Sequence, residues 1–403
     1  MNIDILAMYE QLASLGQAPV DGCSLFGVGL DDAFARLKAK YLDDAFNRGQ
    51  SAEKFVLGPF GSGKTHFVNQ LSEVARAHGC VTATVQLAKS IDYTDSVTVY
   101  REIAQEVRVG DGARGIRHFI PALLDRARQA LGADAQGDEA VDAWVEGIRD
   151  EDFGSHDVAE VAHRAMRAYL TGATDAFDQA CRWLSGEFGD ARIARAAGTT
   201  RKSTAEARVL AGRARITLFQ LARYAGFPGS VLVFDEAEQG LAVNKPRMAS
   251  IFSQLMQELN ALAAARNASA LVVFALTPDV RERIAQLLPA LEQRLKDPGR
   301  GEGFFDGNTR APIIDLTLRG DPANELEAMG GRLVDVFAAH VPNVDSQRMM
   351  AVRDSVSEIA RDVVAGIPGA SARREMVRRI ATRILKAHEG GSGASSHPQE
   401  PEV

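Results

Sequence analysis

The chain has 403 residues, 46% of them hydrophobic and 25% charged, which is typical of a soluble globular protein with a substantial core. A net charge of −7 excludes a surface coated in positive charge, so any nucleic-acid binding must depend on a local basic patch. Cys23, Cys80 and Cys181 have no spacing that suits a disulfide framework or a zinc site, which favours a reducing, cytoplasmic setting. The longest apolar stretch, residues 268–278, is too short to span a bilayer, so we expect no membrane segment.

The first 50 residues are predicted to be mainly helical, with a break at the glycine-rich stretch 25–32. A short strand, KFVL, then leads into a loop rich in glycine, and apolar residues at spacings of three and four predict a helix over HFVNQLSEVARAH. Residues 80–87, CVTATVQL, alternate and are β-branched, which predicts a second strand. Strand, loop, helix and strand in this order are the start of a parallel α/β sheet.

The loop between the first strand and its helix, residues 58–65, fits the phosphate-loop pattern G-x-x-x-x-G-K-[ST] at every position. In this glycine loop, backbone N–H groups and the N-terminus of the next helix can point at phosphate oxygens. Lys64 would reach the β- and γ-phosphates of ATP, and the Thr65 hydroxyl would ligate Mg²⁺. The predicted nucleotide-binding residues here are Gly58, Pro59, Phe60, Gly61, Ser62, Gly63, Lys64, Thr65 and His66.

From about residue 95 to residue 225 the apolar spacing is helical throughout, which predicts an all-α insertion inside the α/β domain, with Trp144 and Trp183 in its core. Residues 192–215 of this insertion form a basic segment that contains only one acidic residue, Glu206. Its basic residues are Arg192, Arg195, Arg201, Lys202, Arg208, Arg213 and Arg215. Such a segment could follow the DNA backbone with salt-sensitive affinity. A solvated charged face is the alternative, because no aromatic residue is interleaved for base stacking.

Two continuous apolar runs, residues 229–240 and 268–279, predict central strands covered on both faces and joined by a helical crossover. Asp235 and Glu236 come at the carboxyl end of the first strand, where α/β sheets bind their ligands. Asp235 would hold the Mg²⁺ shell, and Glu236 would orient or deprotonate the attacking water. Solvated acids at a strand end are the alternative, although the pair suits ATP hydrolysis better than transfer to a small acceptor.

Two further residues are candidates for contact with the γ-phosphate. Thr277 ends the second apolar run, where its side chain could touch the γ-phosphate or the attacking water, unless it only opens a Thr-Pro turn. Arg294 lies on a predicted helix and is a candidate arginine finger for a neighbouring subunit, with a solvated helix arginine as the alternative. Residues 311–318 then predict the last strand.

The C-terminal part is predicted to be a helical lid over residues 321–388. Arg373 or Arg374, near the start of a lid helix, would contact nucleotide, and a solvated basic face is the alternative. The stretch from Arg373 to Lys386 is a second, shorter basic cluster that could contact DNA. Residues 389–403 have the composition of a disordered tail.

The predicted fold class is therefore α/β, a P-loop NTPase with a parallel sheet, a large all-α insertion and a C-terminal helical lid. The predicted division is a helical N-terminal segment 1–50, an ATPase core 51–94 and 226–320, the insertion 95–225, the lid 321–388 and the tail 389–403.

The order of glycine loop, Asp-Glu strand, Thr-ended strand, LEQR helix and helical lid resembles an AAA+-type ATPase. The stretches GPFGSGKTHF, LFQLARYAGFPGSVLVFDEAEQGL, FALTPD and APIIDLTL are more similar still to the ATP-binding proteins of BREX phage-defence islands, the BrxD-like group. This resemblance covers roughly residues 20–385. It implies a cytoplasmic, Mg²⁺-dependent ATPase of a bacterial defence system, acting on DNA or on partner proteins.

The leading hypothesis is an ATPase that forms a homo-oligomer around nucleotide and whose hydrolysis drives a conformational change. One alternative is a nucleotide switch, in which ATP binding assembles a complex and hydrolysis is slow. Another is a P-loop kinase, against which the Asp235–Glu236 pair and the lack of an obvious acceptor site both count.

Overall fold

The computed structural model describes residues 4–87, 93–132, 137–237, 245–295, 303–317, 321–367 and 371–392. Within these ranges the chain is α/β, with many helices and one mixed, mostly parallel sheet of six strands in the order β3-β2-β4-β5-β1-β6. The strands are β1 (Ala52–Leu57), β2 (Val81–Gln86), β3 (Arg108–Val109), β4 (Ser230–Asp235), β5 (Ala270–Leu276) and β6 (Ile313–Asp315).

The helices before β4 include the helix after the glycine loop and those of the predicted insertion. They are α1 (Ile5–Leu15), α2 (Cys23–Phe26), α3 (Asp31–Leu37), α4 (Lys64–Ala77), α5 (Ser96–Glu106), α6 (Ile116–Leu131), α7 (Gly137–Gly147), α8 (His156–Leu170), α9 (Thr174–Leu184), α10 (Ala191–Ala196) and α11 (Thr204–Tyr224). Helix α3 continues as a π-helix over Lys38–Ala45.

The later helices comprise the crossover between β4 and β5, two short helices after β5, and the C-terminal group. They are α12 (Lys245–Ala264), α13 (Pro278–Leu287), α14 (Pro289–Leu295), α15 (Pro322–His340), α16 (Ser346–Asp354), α17 (Val356–Gly366) and α18 (Ser371–Ser392). The last helix thus extends beyond residue 388, where the helical lid was predicted to end, and residues 393–403 of the predicted tail lie outside the described residues.

The sheet confirms that the two long apolar runs are central strands. Strand β4 is parallel to β2 on one side and to β5 on the other, and every residue of β4 and β5 is buried. Strands β1 and β6 pair in parallel register, since Phe55 N–H donates to the Pro312 carbonyl and Leu316 N–H donates to the Leu57 carbonyl, both at 2.8 Å. A strand buried on both faces explains why these runs are continuous rather than alternating.

The prediction that residues 95–225 are helical throughout was wrong at one place. Residues 108–109 form β3, which pairs antiparallel with β2 at the edge of the sheet. Two residues are too few to produce a periodic pattern, so the sequence carries no signal of this strand.

The chain divides into two compact units, of which the first comprises residues 1–33, 57–73 and 315–403. Its apolar core joins α1 to the C-terminal helices, and Tyr9, Phe337 and Ile380 are fully buried within it. The Tyr9 and Phe337 rings meet edge to face with centroids 4.9 Å apart, a favoured arrangement for two aromatic rings. This unit contains the glycine loop.

The second unit comprises residues 34–56 and 74–314, and so contains almost the whole sheet together with helices α5 to α14. Trp183 is fully buried in its core, with its ring centroid 4.9 Å from that of Phe188. Trp144 stacks on Tyr224 at the edge of the same core, also at 4.9 Å. The expected core placement is therefore confirmed for Trp183, whereas Trp144 is partly buried and packs against the core, and the division into core, insertion and lid stays a prediction.

The three cysteines are buried and free. Of the helices that the structure describes, none is both long enough and apolar enough to cross a membrane.

Candidate functional site

The glycine loop has a backbone that only glycine adopts easily. Gly61 and Gly63 have φ angles of +83° and +89°, a region where a side chain would cause strain. At Gly58 the reason is different, because a Cβ atom there would lie 2.1 Å from Ser62 Oγ. The three glycines of the motif are thus each required by the local geometry.

Lys64 folds back into the curve of the loop. Its ammonium donates to the Gly58 carbonyl at 2.8 Å and to the Pro59 carbonyl at 3.3 Å, and the side chain is buried. It also lies 5.3 Å from the centroid of the exposed Phe60 ring, within reach of a cation–π interaction. A buried positive charge is therefore enclosed by the loop, ahead of the first turn of α4.

Ser62 gives an independent sign that the loop is built around a polar ligand. Its hydroxyl is buried and has no hydrogen-bond partner among the described residues. Because an unpaired buried hydroxyl is costly, such groups usually have a ligand, ion or water as partner. An oxyanion such as a phosphate fits the loop, since the hydroxyl and the neighbouring Lys64 can both donate to its oxygens.

His66 packs in the first turn of α4, where it was expected beside the loop. Its ring contacts Phe26, with centroids 5.2 Å apart. Burial lowers the pKa of His66 to about 4, against a hydrogen bond with Gln70 that raises it, and the charge of Arg373 lowers it further. The imidazole is therefore neutral near pH 7.

Arg373 reaches the glycine loop from α18. Its guanidinium donates to the Ser62 carbonyl and, at 2.9 Å, to the Leu316 carbonyl, and its Nε donates to Glu325 at 2.7 Å. Arg374 is exposed instead and lies against Gly16. Of the two predicted arginines, the structure therefore brings Arg373 to the loop.

Three polar residues around this site were not identified from the sequence. Glu325 holds Arg373, and Glu73 and Asn69 on α4 bond to the backbone of residues 19–24. None of them belongs to a motif, and their partners are distant in sequence. A single sequence gives no signal that could have found them.

Asp235 is the last residue of β4 in the second unit, and Glu236 follows it. Asp235 is almost fully buried, and its Oδ1 accepts a hydrogen bond of 2.9 Å from the Glu236 N–H. Glu236 is half-buried and has a φ of +52°. Residues other than glycine rarely adopt this conformation, and those that do are concentrated at functional sites.

Thr277 follows β5, the strand next to β4 in the sheet, and is buried at the N-cap of α13. Its side chain makes no capping hydrogen bond there, in contrast to the usual role of an N-cap threonine. Because β4 and β5 are parallel, Thr277 and the acid pair lie at the same edge of the sheet. Arg294 lies in α14, and its side chain is outside the part of the chain that the structure describes.

Among the described residues no group of three or more His, Cys, Asp or Glu side chains could hold a metal ion. Mg²⁺ in nucleotide sites needs only one or two protein ligands, because phosphate oxygens and water complete its shell. The buried Asp235 carboxylate and the Thr65 hydroxyl are oxygen donors of the kind that Mg²⁺ prefers.

The basic segment is only partly available to a ligand. Three of its seven basic residues form ion pairs with acids of other elements, namely Lys202 with Asp157 at 2.6 Å, Arg208 with Asp95 at 4.0 Å, and the buried Arg215 with Glu258 at 2.9 Å. The other four are exposed and, within the described residues, lie in no ion pair. They are Arg192, Arg195, Arg201 and Arg213. The shorter C-terminal cluster is similar, since Arg378 and Arg379 pair with Glu375.

Comparison with known proteins gives one family. The model of the family described as "BREX system ATP-binding protein BrxC/D" matches residues 7–390, almost the whole chain. No curated protein matched the chain. The search of solved structures also gave no match.

Proposed function

Since this chain belongs to the family of BREX system ATP-binding proteins BrxC/D, we propose that it is a Mg²⁺-dependent ATPase with an AAA+-like P-loop fold. The observation that carries the proposal is the glycine loop, with Lys64 enclosed by it and the Ser62 hydroxyl unpaired among the described residues. We further propose that the protein works in a phage-defence system in the cytoplasm.

The glycine loop binds the triphosphate of ATP. Lys64 exchanges its present carbonyl acceptors for β- and γ-phosphate oxygens, which accept stronger, charge-assisted hydrogen bonds. Residues 58–66 except Pro59 supply backbone N–H groups, and the positive end of α4 favours the negative charge. In this proposal Thr65 and Asp235 would hold Mg²⁺, and the ion would supply neutralisation of charge on the phosphates.

Hydrolysis depends on the acids at the end of β4. Glu236 orients a water molecule and accepts its proton, and its uncommon backbone conformation supports a functional role. Thr277, at the same edge of the sheet, contacts the γ-phosphate or this water. The parallel pairing of β4 and β5 supports these roles, because α/β sheets bind ligands at the carboxyl ends of their parallel strands.

Two arginines act on the phosphates from outside the loop. Arg373 exchanges the Ser62 carbonyl for a phosphate oxygen while Glu325 keeps its guanidinium in place. Arg294 acts as an arginine finger for ATP bound by a neighbouring copy, so the active form is a homo-oligomer. Arg374 does not contact the nucleotide in this proposal, because its side chain is exposed at the surface.

In this proposal the protein uses ATP hydrolysis to act on DNA or on a partner protein of the defence system. The four exposed arginines of the basic segment support contact with a DNA backbone, with the C-terminal basic cluster as a second contact. An ATP-dependent assembly switch with slow hydrolysis is the other function compatible with these residues.

Steady-state ATP hydrolysis, measured with and without double-stranded DNA, tests this function. We expect Mg²⁺-dependent turnover that rises when DNA is added. A turnover rate that does not change when DNA is added would point to a protein partner. Tight ATP binding with negligible turnover in every condition would support the assembly switch. If the protein does not bind ATP at all, the proposal is wrong.

A further inference from the structure

Glu73 makes the strongest contact between α4 and residues 19–27 of the same unit. Its carboxylate accepts three backbone hydrogen bonds, at 2.6 Å from Gly22 and at 2.8 Å from each of Cys23 and Ser24. Glu73 is only 8% exposed. Because hydrogen bonds to a charged acceptor are strong, and stronger away from water, this carboxylate fixes the backbone of the segment on the helix.

Two other residues on the same face of α4 continue this contact towards the loop. Asn69, one turn closer, donates its side-chain amide to the Pro19 carbonyl at 2.9 Å. His66, in the first turn, contacts the ring of Phe26. Spacings of three and four residues place these side chains in one row along the helix. Residues 19–26 therefore contact α4 at Glu73, at Asn69 and, through Phe26, at His66 in the first turn, which directly follows the glycine loop.

Glu73 cannot itself contact a triphosphate in the loop, because it lies nine residues beyond Lys64, roughly 13 Å along the helix axis. The nucleoside extends away from the loop, so residues of other segments that reach the first turn of α4, as Phe26 does at His66, are placed to form its surroundings. We propose that Glu73 is a positioning residue of the nucleotide site, which holds residues 19–27 as a wall for the nucleoside half of bound ATP. This inference rests on the proposed function.

Inorganic tripolyphosphate separates this role from a merely structural one, because it has the phosphates of ATP without the nucleoside. In Glu73→Gln we expect the affinity for ATP to fall roughly tenfold, the equivalent of about one charge-assisted hydrogen bond. Affinity for tripolyphosphate should stay within roughly twofold of the wild type. Glu10→Gln, an exposed position on α1, makes the same change of charge and should affect neither ligand.

Equal losses for the two ligands would show that Glu73 only stabilises the fold, and unchanged ATP affinity would show that it positions nothing; either result overturns the inference. If a thermal melt without ligand shows that Glu73→Gln is unfolded, Asn69→Ala takes its place. Asn69→Ala should lose a smaller amount of ATP affinity, again with less loss of tripolyphosphate affinity. Equal losses for the two ligands in Asn69→Ala would also overturn the inference. A wild-type protein that binds neither ligand would instead contradict the proposed function.

Discussion

The glycine loop and the basic segment are both short stretches with a clear sequence pattern, yet residues that are distant in sequence contribute differently to each. At the loop, Arg373 arrives from 311 residues away in sequence, and its guanidinium, held by Glu325, donates to the Ser62 carbonyl. In the basic segment, distant acids remove charge, as Glu258 does for Arg215.

The difference follows from what each pattern determines. Glycines set the backbone of the loop by themselves, because Gly61 and Gly63 adopt φ angles that other residues avoid. A run of arginines does not determine the backbone conformation, and its charge is available to a ligand only where no acidic residue of another element lies nearby. A loop motif therefore indicates a binding site more reliably than a charge run does.

The largest expected effect is at Lys64. Lys64→Ala removes the buried ammonium, and we expect a loss of about 2–5 kcal/mol of ATP binding free energy, the usual effect of deleting one partner of a buried charged pair. Titration with a fluorescent ATP analogue measures it. Lys386→Ala removes the same charge from an exposed position on α18, and as the control it should change little. Unchanged affinity in Lys64→Ala would remove the loop from the nucleotide site.

A smaller effect separates the two neighbouring arginines of α18. Arg373→Ala should weaken ATP binding by about 1.5–3 kcal/mol, the range for hydrogen bonds to charged groups, because its guanidinium lies at the loop. Arg374→Ala removes the same charge from an exposed position and should leave the affinity unchanged. The same titration compares the two variants, and a larger loss in Arg374→Ala would contradict the assignment.

The smallest effect is expected in the basic segment, because only part of its charge is available. Replacing Arg195 and Arg201 with glutamate should lower DNA affinity and reduce the salt slope of binding by about two, one for each phosphate that is no longer neutralised. Anisotropy titrations at several salt concentrations measure this slope. The same replacement at the exposed Arg283 and Arg361 changes the net charge equally. If both pairs behave alike, the segment is a solvated face.

Much of the fold could be predicted because its signals are local. The continuous apolar runs predicted β4 and β5, and the glycine loop predicted the junction of β1 and α4. Strand β3 could not be predicted, because its two residues are held by pairing with β2 and not by any pattern of their own.

The site shows the same limit. The residues of the glycine loop and the acid pair stand in recognisable motifs, and the structure gives each a distinctive geometry without testing its role. The sequence left Arg373 and Arg374 as equal candidates, since their difference depends on the Ser62 and Leu316 carbonyls. Contacts between residues that are distant in sequence decide which of the two arginines reaches the loop, and a single sequence does not show those contacts.

The most direct test of the central claim, that this protein binds ATP in the glycine loop and hydrolyses it with Glu236, is to measure ATP binding and steady-state turnover of Glu236→Gln beside the wild type. We predict that the variant keeps its affinity for ATP and loses turnover by a factor of about 10²–10⁴, the usual contribution of a general base. Turnover at the wild-type rate in Glu236→Gln would contradict the account.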